Sequence, residues 1–302
     1  MTAMVRVLEQ VTRRSPVGLR VWDIAGATDL VDGLQVDISV RTDPESAVRA
    51  YVTRSGVYSV SGLPGLRPFE LGVGDDMTAW SAALRPYRVE INDPQGRFLP
   101  FAFDADLPRR GLFSWSAPGT SPPQPYVLPT DRASPPAMMI GHVPLFSAPS
   151  RPMATSLAAV RAELREVGSD RPASFALLTV SIDGTVCGIG MADWQGRILV
   201  PFPYPDRPRP ALTSPPQPTN DFRWDVAIAA YYVPAPPGAA VTMIADLADV
   251  VAQMNSPQML FASTVSPPQV LPPLTLQYGV PLTVRTQLTS TGSSSFLFLN
   301  AV

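Results

Sequence analysis

One histidine, one cysteine and no lysine bound what chemistry this 302-residue chain can do. A lone His142 cannot build a metal site from several imidazoles. As a general base it needs a nucleophile and an orienting carboxylate, yet Ile140-Gly-His-Val-Pro144 offers no local partner, and no Gly-x-Ser-x-Gly elbow occurs. We therefore expect a structural or surface histidine. Cys187, in the apolar run Val186-Cys-Gly-Ile, reads as a small packed hydrophobe. With one cysteine, neither an intrachain disulfide framework nor a Cys-rich zinc site can form. Without lysine there is no Schiff base and no phosphate-binding lysine of the Walker type.

The carboxylates are the remaining reagents. Asp75-Asp76 and Asp104-Ala-Asp106 could bind calcium or do acid–base work. No calcium-loop ligand run surrounds them, and Arg67, Arg109 and Arg110 are at hand, so salt-bridged loop carboxylates are the expectation. Asp246 and Asp249 flank an apolar stripe and read as the wet face of a helix. Trp22, Trp80, Trp115, Trp194 and Trp224 could be sugar platforms or ordinary core and interface anchors. No catalytic residue, metal ligand or cofactor is expected.

What must position these residues is β structure broken by proline. Charged residues are 16% of the chain and hydrophobic ones 45%, enough to bury a core, while 36 prolines interrupt it. Residues 34–41 alternate Leu34, Val36, Ile38, Val40 with polar partners, the pattern of a half-buried strand. Strands are also expected at 17–24, 48–53 and 56–60, and in a hairpin over 86–104. A second set is expected at 174–182, 185–191, 196–202, 223–233, 274–288 and 295–299. Helices are expected at 1–15, 153–167 and 241–254. The stripe Leu157, Val160, Leu164, Val167 with a terminal Gly168 marks the best of them. The proline-rich stretches 116–152, 205–219 and 257–273 read as extended arms, partly polyproline II.

One pattern occurs twice, about 100 residues apart: Asp93-Pro-Gln95-Gly96-Arg97 and Asp193-Trp-Gln195-Gly196-Arg197. An aspartate that bonds the following amides, with glycine at positive φ, makes a tight turn. Its recurrence suggests either two related β modules or one common turn reached twice.

The strings at 17–39 (VGLRVWDIAGATDLVDGLQVDIS) and 50–65 (AYVTRSGVYSVSGLPG) resemble the carboxypeptidase regulatory-like, transthyretin-type β-sandwich, over roughly 17–105. Asp183-Gly184, the second Asp turn and Pro203-Tyr-Pro205 are similar in kind. The run from Leu63-Pro-Gly-Leu-Arg-Pro-Phe69-Glu70 through Gly74-Asp75-Asp76 to 87–112 resembles structural proteins of phage-tail-like contractile injection systems. The fold this implies is mainly β: two transthyretin-like or Ig-like β-sandwich modules with short helices and proline-rich arms. The organisation expected is an N-terminal arm or helix at 1–16, a sandwich at 17–115, a linker plus helix at 116–172, and a second sandwich at 173–302.

The function the resemblance implies is a non-enzymatic particle subunit, a terminal cap or adaptor ring joining tube and sheath ends. The alternatives are a baseplate component and a soluble carbohydrate- or peptide-binding module. The partners would be copies of itself in a ring, a hexamer, and tube, sheath, cap or baseplate subunits. The residues expected at contacts are Met259, Leu260, Phe261, Val265, Val270, Leu271, Phe296 and Phe298. A net charge of −2 argues against a nucleic-acid footprint, and no apolar run is long enough to span a bilayer. The N-terminus lacks the pattern of a signal peptide. Assembly in the cytoplasm, with release outside the cell as part of the particle, is the expected location.

Overall fold

The computed structural model describes residues 13–26, 28–30, 32–72, 84–109, 111–113, 142–205, 222–236, 238 and 242–300. The helix expected over most of 1–15, the Asp75-Asp76 pair, Trp80, Trp115, the proline-rich run to 141 and most of 205–219 lie outside them.

The molecule is mainly β. The first half contains β1 (Gly18–Asp23), β2 (Thr28–Asp29), β3 (Gln35–Val40), β4 (Asp43–Arg49), β5 (Tyr51–Val52), β6 (Tyr58–Ser59), the single turn α1 (Arg67–Glu70), β7 (Arg85–Asn92), β8 (Phe101–Leu107) and β9 (His142–Leu145). The second contains β10 (Leu157–Glu166), β11 (Leu177–Ile182), β12 (Thr185–Met191), β13 (Arg197–Pro203), β14 (Arg223–Tyr231), β15 (Ala245–Asp246), α2 (Leu247–Ala252), β16 (Pro257–Gln258), β17 (Phe261–Ser263), β18 (Gln269–Val270), β19 (Leu274–Gln277), β20 (Leu282–Thr283) and β21 (Leu297–Leu299).

Two apolar cores organise these strands. The first gathers Leu19, Ile38, Tyr58, Val89 and Phe103 from a sheet ordered β2-β1-β6-β5 and another ordered β15-β8-β7-β3-β4. The second gathers Val160, Val180, Phe202, Val226 and Leu297 from β13-β10-β20 and β12-β11-β14-β16, with β21 on β10 and β19 on β14. The sheet containing β11 serves both. Leu177 belongs to the first core, while the next residue, Leu178, and Val180 belong to the second. Adjacent residues of a strand point to opposite faces, so a strand covered on both sides is apolar nearly throughout, as the run Leu177–Val180 is, with only Thr179 interrupting it.

The cores also exchange chain. β9 adds to β1 in parallel, bringing Val143 and Leu145 into the first core. β15 adds to β8 in parallel, and α2 lays Leu247, Val250 and Val251 on the same core. The first core thus reaches well beyond residues 17–115.

Most expected strands form near their expected places, including β3, whose Val36 and Ile38 are fully buried. The helix expected at 153–167 does not form. Residues 157–166 are instead a ten-residue strand, antiparallel to β13 and parallel to β20 and β21. Ala, Leu, Glu and Arg favour helix by only tenths of a kcal/mol each, roughly 0–0.7 on the usual scale. Ladder bonds on both edges and burial of Ala158, Val160, Leu164 and Glu166, every second or fourth residue, outweigh that preference. Val167, meant to continue the helical stripe, is exposed. The helix expected at 241–254 is shortened to α2 and a following 3-10 turn (Gln253–Asn255), because residues 245–246 pair with β8.

Candidate functional site

A groove of about 960 Å³ opens where the two cores meet. β7 supplies Arg88, β10 supplies Glu166, and the loop before β11 supplies Arg171, Ser174 and Phe175. The turn between β12 and β13 supplies Trp194. The extended chain after β14 supplies Tyr232, Val233, Pro234 and Pro236, and α2 with its flanks closes the last wall.

Trp194 is the most conspicuous side chain, 37% exposed beside an otherwise fixed backbone. The preceding Asp193 is buried, and its carboxylate accepts from the amides of Gln195 (2.9 Å) and Arg197 (2.9 Å) and from Arg197 Nε (2.8 Å). Ser174 Oγ donates to the Trp194 carbonyl at 2.7 Å. The indole is therefore carried on a turn held from both sides. Phe175 sits at φ 61°, a left-handed conformation rare for a bulky residue. Gln253 braces it: Nε2 donates to the Phe175 carbonyl (3.0 Å) and Oε1 accepts from the Val233 amide (3.0 Å). One buried amide thus ties two walls of the groove together.

One wall carries a polar network centred on a buried carboxylate. Glu166, 2% exposed, accepts from Ser169 Oγ (2.5 Å), Arg171 Nε (2.9 Å) and the Tyr232 hydroxyl (2.8 Å). Burial by itself opposes the charge, but these hydrogen bonds outweigh it and hold the carboxyl below its usual range. Burial, then the hydrogen bond to Glu166 and its negative charge, push the Tyr232 phenol well above its ordinary value. Tyr232 is thus a fixed donor rather than a titrating group. At the opposite wall Arg88 pairs with Asp246 and, at 3.2 Å, with Asp104. Asp246 also caps α2, accepting from the Ala248 amide at 2.9 Å. One turn on, Asp249 faces the groove, exposed, with no arginine in ion-pair distance among the described residues.

The residues singled out from sequence fall elsewhere or take other roles. His142 is half-buried in β9, its side chain 4% exposed, with the ring edge-on to Trp22 at 5.5 Å and Nε2 2.8 Å from Asp29 Oδ1. Cys187 is half-buried in β12, Sγ 3.2 Å from the Val180 carbonyl. Neither lines the groove. Asp104 is salt-bridged as expected in kind, but to Arg88 and Arg41 rather than to Arg67 or Arg109, and Arg110 lies outside the described residues. Asp246 is not merely the wet side of a helix, being both its cap and an ion-pair partner. Trp22 is buried, and Trp224 packs at a tilt against Tyr204 at 5.7 Å and Phe222 at 6.4 Å. No group of three or more metal-ligating side chains converges among the described residues.

The expected contact residues divide. Met259, Val265 and Val270 are exposed, and Phe261, Leu271, Phe296 and Phe298 are half-buried. Leu260 is a correction: it is 4% exposed and part of the chain's own second core, so it presents no surface to a neighbour. The groove itself was not anticipated. Trp194 stands in the repeated turn and among the five tryptophans weighed as sugar platforms or anchors, but nothing in the sequence announces Gln253 as a brace. No family model, curated protein or solved structure matches the chain. No described helix is long and apolar enough to cross a membrane.

Proposed function

We propose that the chain is a non-enzymatic structural subunit of a phage-tail-like contractile injection particle, a terminal cap or adaptor ring built from copies of itself. Its architecture, on this reading, is a pair of transthyretin-like sandwiches sharing the β11 sheet. Its neighbours are tube, sheath or other end subunits, met in the cytoplasm before release of the particle.

The observation that carries the reading is the segment 257–273. It is anchored by β16 on β14, by Leu260 in the second core, and by the bond from the Leu271 amide to the Leu260 carbonyl. Yet it turns outward Met259 (48% exposed), Val265 (38%) and Val270 (57%), around a tip exposed from 265 to 270. A fixed apolar ribbon on a charge-poor surface is suited to covering by another subunit.

Light scattering after size-exclusion chromatography tests this. The expected result is a ring, or a monomer that binds tube or sheath ends, lost in Met259→Asp/Val270→Asp with folding intact. A monomer indifferent to those ends overturns it. Binding to baseplate parts alone moves the subunit to the other end of the particle. The groove favours a second reading, a soluble binding module.

A further inference from the structure

The groove's polar groups are nearly all engaged within the chain. Glu166 accepts three hydrogen bonds, Gln253 bonds at both ends of its amide, and Arg88 faces two carboxylates. A sugar needs free donors and acceptors for its hydroxyls, and few remain. Trp194, Val233, Pro236 and Ile244 are exposed along the groove and Phe175 and Pro234 are half-buried, an apolar run with Arg171, Thr242 and Asp249 as its exposed polar side chains. Aromatic faces beside aliphatic walls suit the rings of an extended proline segment, which binds with its backbone already in one conformation. Among the described residues Asp249 is the groove carboxylate with no arginine partner, and it asks for a cation alongside those rings. Trp194 can also receive a guanidinium on its face.

We propose that this groove receives an extended, proline-rich segment of a partner protein that carries arginine. Prolines pack on Trp194 and Phe175, and an arginine of the segment pairs with Asp249. Gln253 is a positioning residue that keeps the Phe175 and Val233 walls at a fixed separation. The inference stands apart from the particle reading: a monomer that binds such a peptide but is indifferent to tube and sheath ends upholds this and fails that.

The test is fluorescence anisotropy of a labelled peptide of four Pro-Pro-Arg repeats with the full chain. Pro-Pro-Glu repeats and a glucose hexasaccharide are the comparators. Saturable binding of the arginine peptide is expected, at least tenfold tighter than the glutamate peptide. Trp194→Ala should weaken it at least tenfold. Asp249→Asn, an exposed change that leaves the fold intact, should weaken it about threefold to tenfold and erase most of the preference for arginine. Circular dichroism checks both variants. No saturable binding, equal binding of both peptides, or indifference to Trp194→Ala and Asp249→Asn overturns the proposal. So does displacement of the peptide by the hexasaccharide, which would make the groove a sugar site.

Discussion

The two Asp-x-Gln-Gly-Arg turns are nearly the same object put to different uses. Asp93 accepts from the amides of Gln95 (3.2 Å) and Arg97 (2.7 Å) and from Arg97 Nε (3.0 Å), as Asp193 does from its own neighbours. Gly96 and Gly196 both sit at positive φ, 66° and 81°. But the first turn joins β7 to β8, paired neighbours in one sheet, while the second joins β12 to β13, which belong to different sheets. Five residues determine a local turn, and the strands on either side determine whether it closes a hairpin or passes between layers. The likeness of the turns is therefore a likeness of local chemistry, and it does not carry the surrounding topology with it.

The glycines should separate the two turns most. A side chain at Gly96 meets nothing within 4 Å, whereas a Cβ on Gly196 would lie 2.4 Å from the Leu164 carbonyl oxygen. Gly96→Ala should cost only the left-handed backbone, about 1–2 kcal/mol. Gly196→Ala adds a clash with backbone of β10, for roughly 2–5 kcal/mol in all. Urea unfolding midpoints measure both. Equal losses would mean that β10 yields easily and that the corner is looser than its hydrogen bonds suggest.

The aspartates come next. Asp93 has one further bond, from the Phe98 amide at 3.2 Å, and its partner Arg97 is 26% exposed against 53% for Arg197. Replacing either by Ala strands an arginine and several amides, about 2–4 kcal/mol, with the larger loss at Asp93. Burial opposes ionisation of Asp93, but the Arg97 side chain and the amides of Arg97 and Gln95 win and lower its pKa. A lowered folded value means the stabilisation is complete above the unfolded carboxylate value of ~3.9 and is lost as pH falls through the folded value. The gap in stability between the wild type and Asp93→Asn should therefore be widest near neutrality and narrow below about pH 4. A gap that stays constant to low pH would remove the charge from the explanation and leave only shape.

Sequence showed the parts of this molecule whose cause is local. Alternation located β3, and the Asp-x-Gln-Gly-Arg spacing located both turns. It misjudged β10, where Ala-Ala-Val-Arg-Ala-Glu-Leu suits a helix and only partners far along the chain, β13, β20 and β21, make it a strand. The groove was illegible for the same reason. Phe175, Trp194, Val233 and Gln253 meet because two cores abut, and no spacing along the chain records that. Asp246 was misjudged in a similar way, since its ion pair with Arg88 joins residues 158 positions apart.

The smallest expected effect on stability falls at the second residue of the first turn, Pro94, set against its counterpart Trp194. Both stand on the outer side of their turns, so Pro94→Ala should change stability by no more than about 0.5 kcal/mol. Trp194 is 37% exposed and its burial is partial, so Trp194→Ala should cost about 2 kcal/mol, below a fully buried tryptophan. The Asp193 carboxylate and Ser174 hold the backbone of that turn without help from the indole. A larger loss of stability in Trp194→Ala would show the ring to be part of the core, and the first turn's proline a poor comparison. A loss no larger than that, with peptide binding gone, would mean that one turn scaffold carries a structural residue in one place and a recognition residue in the other. The difference then lies wholly in the side chain placed at its tip.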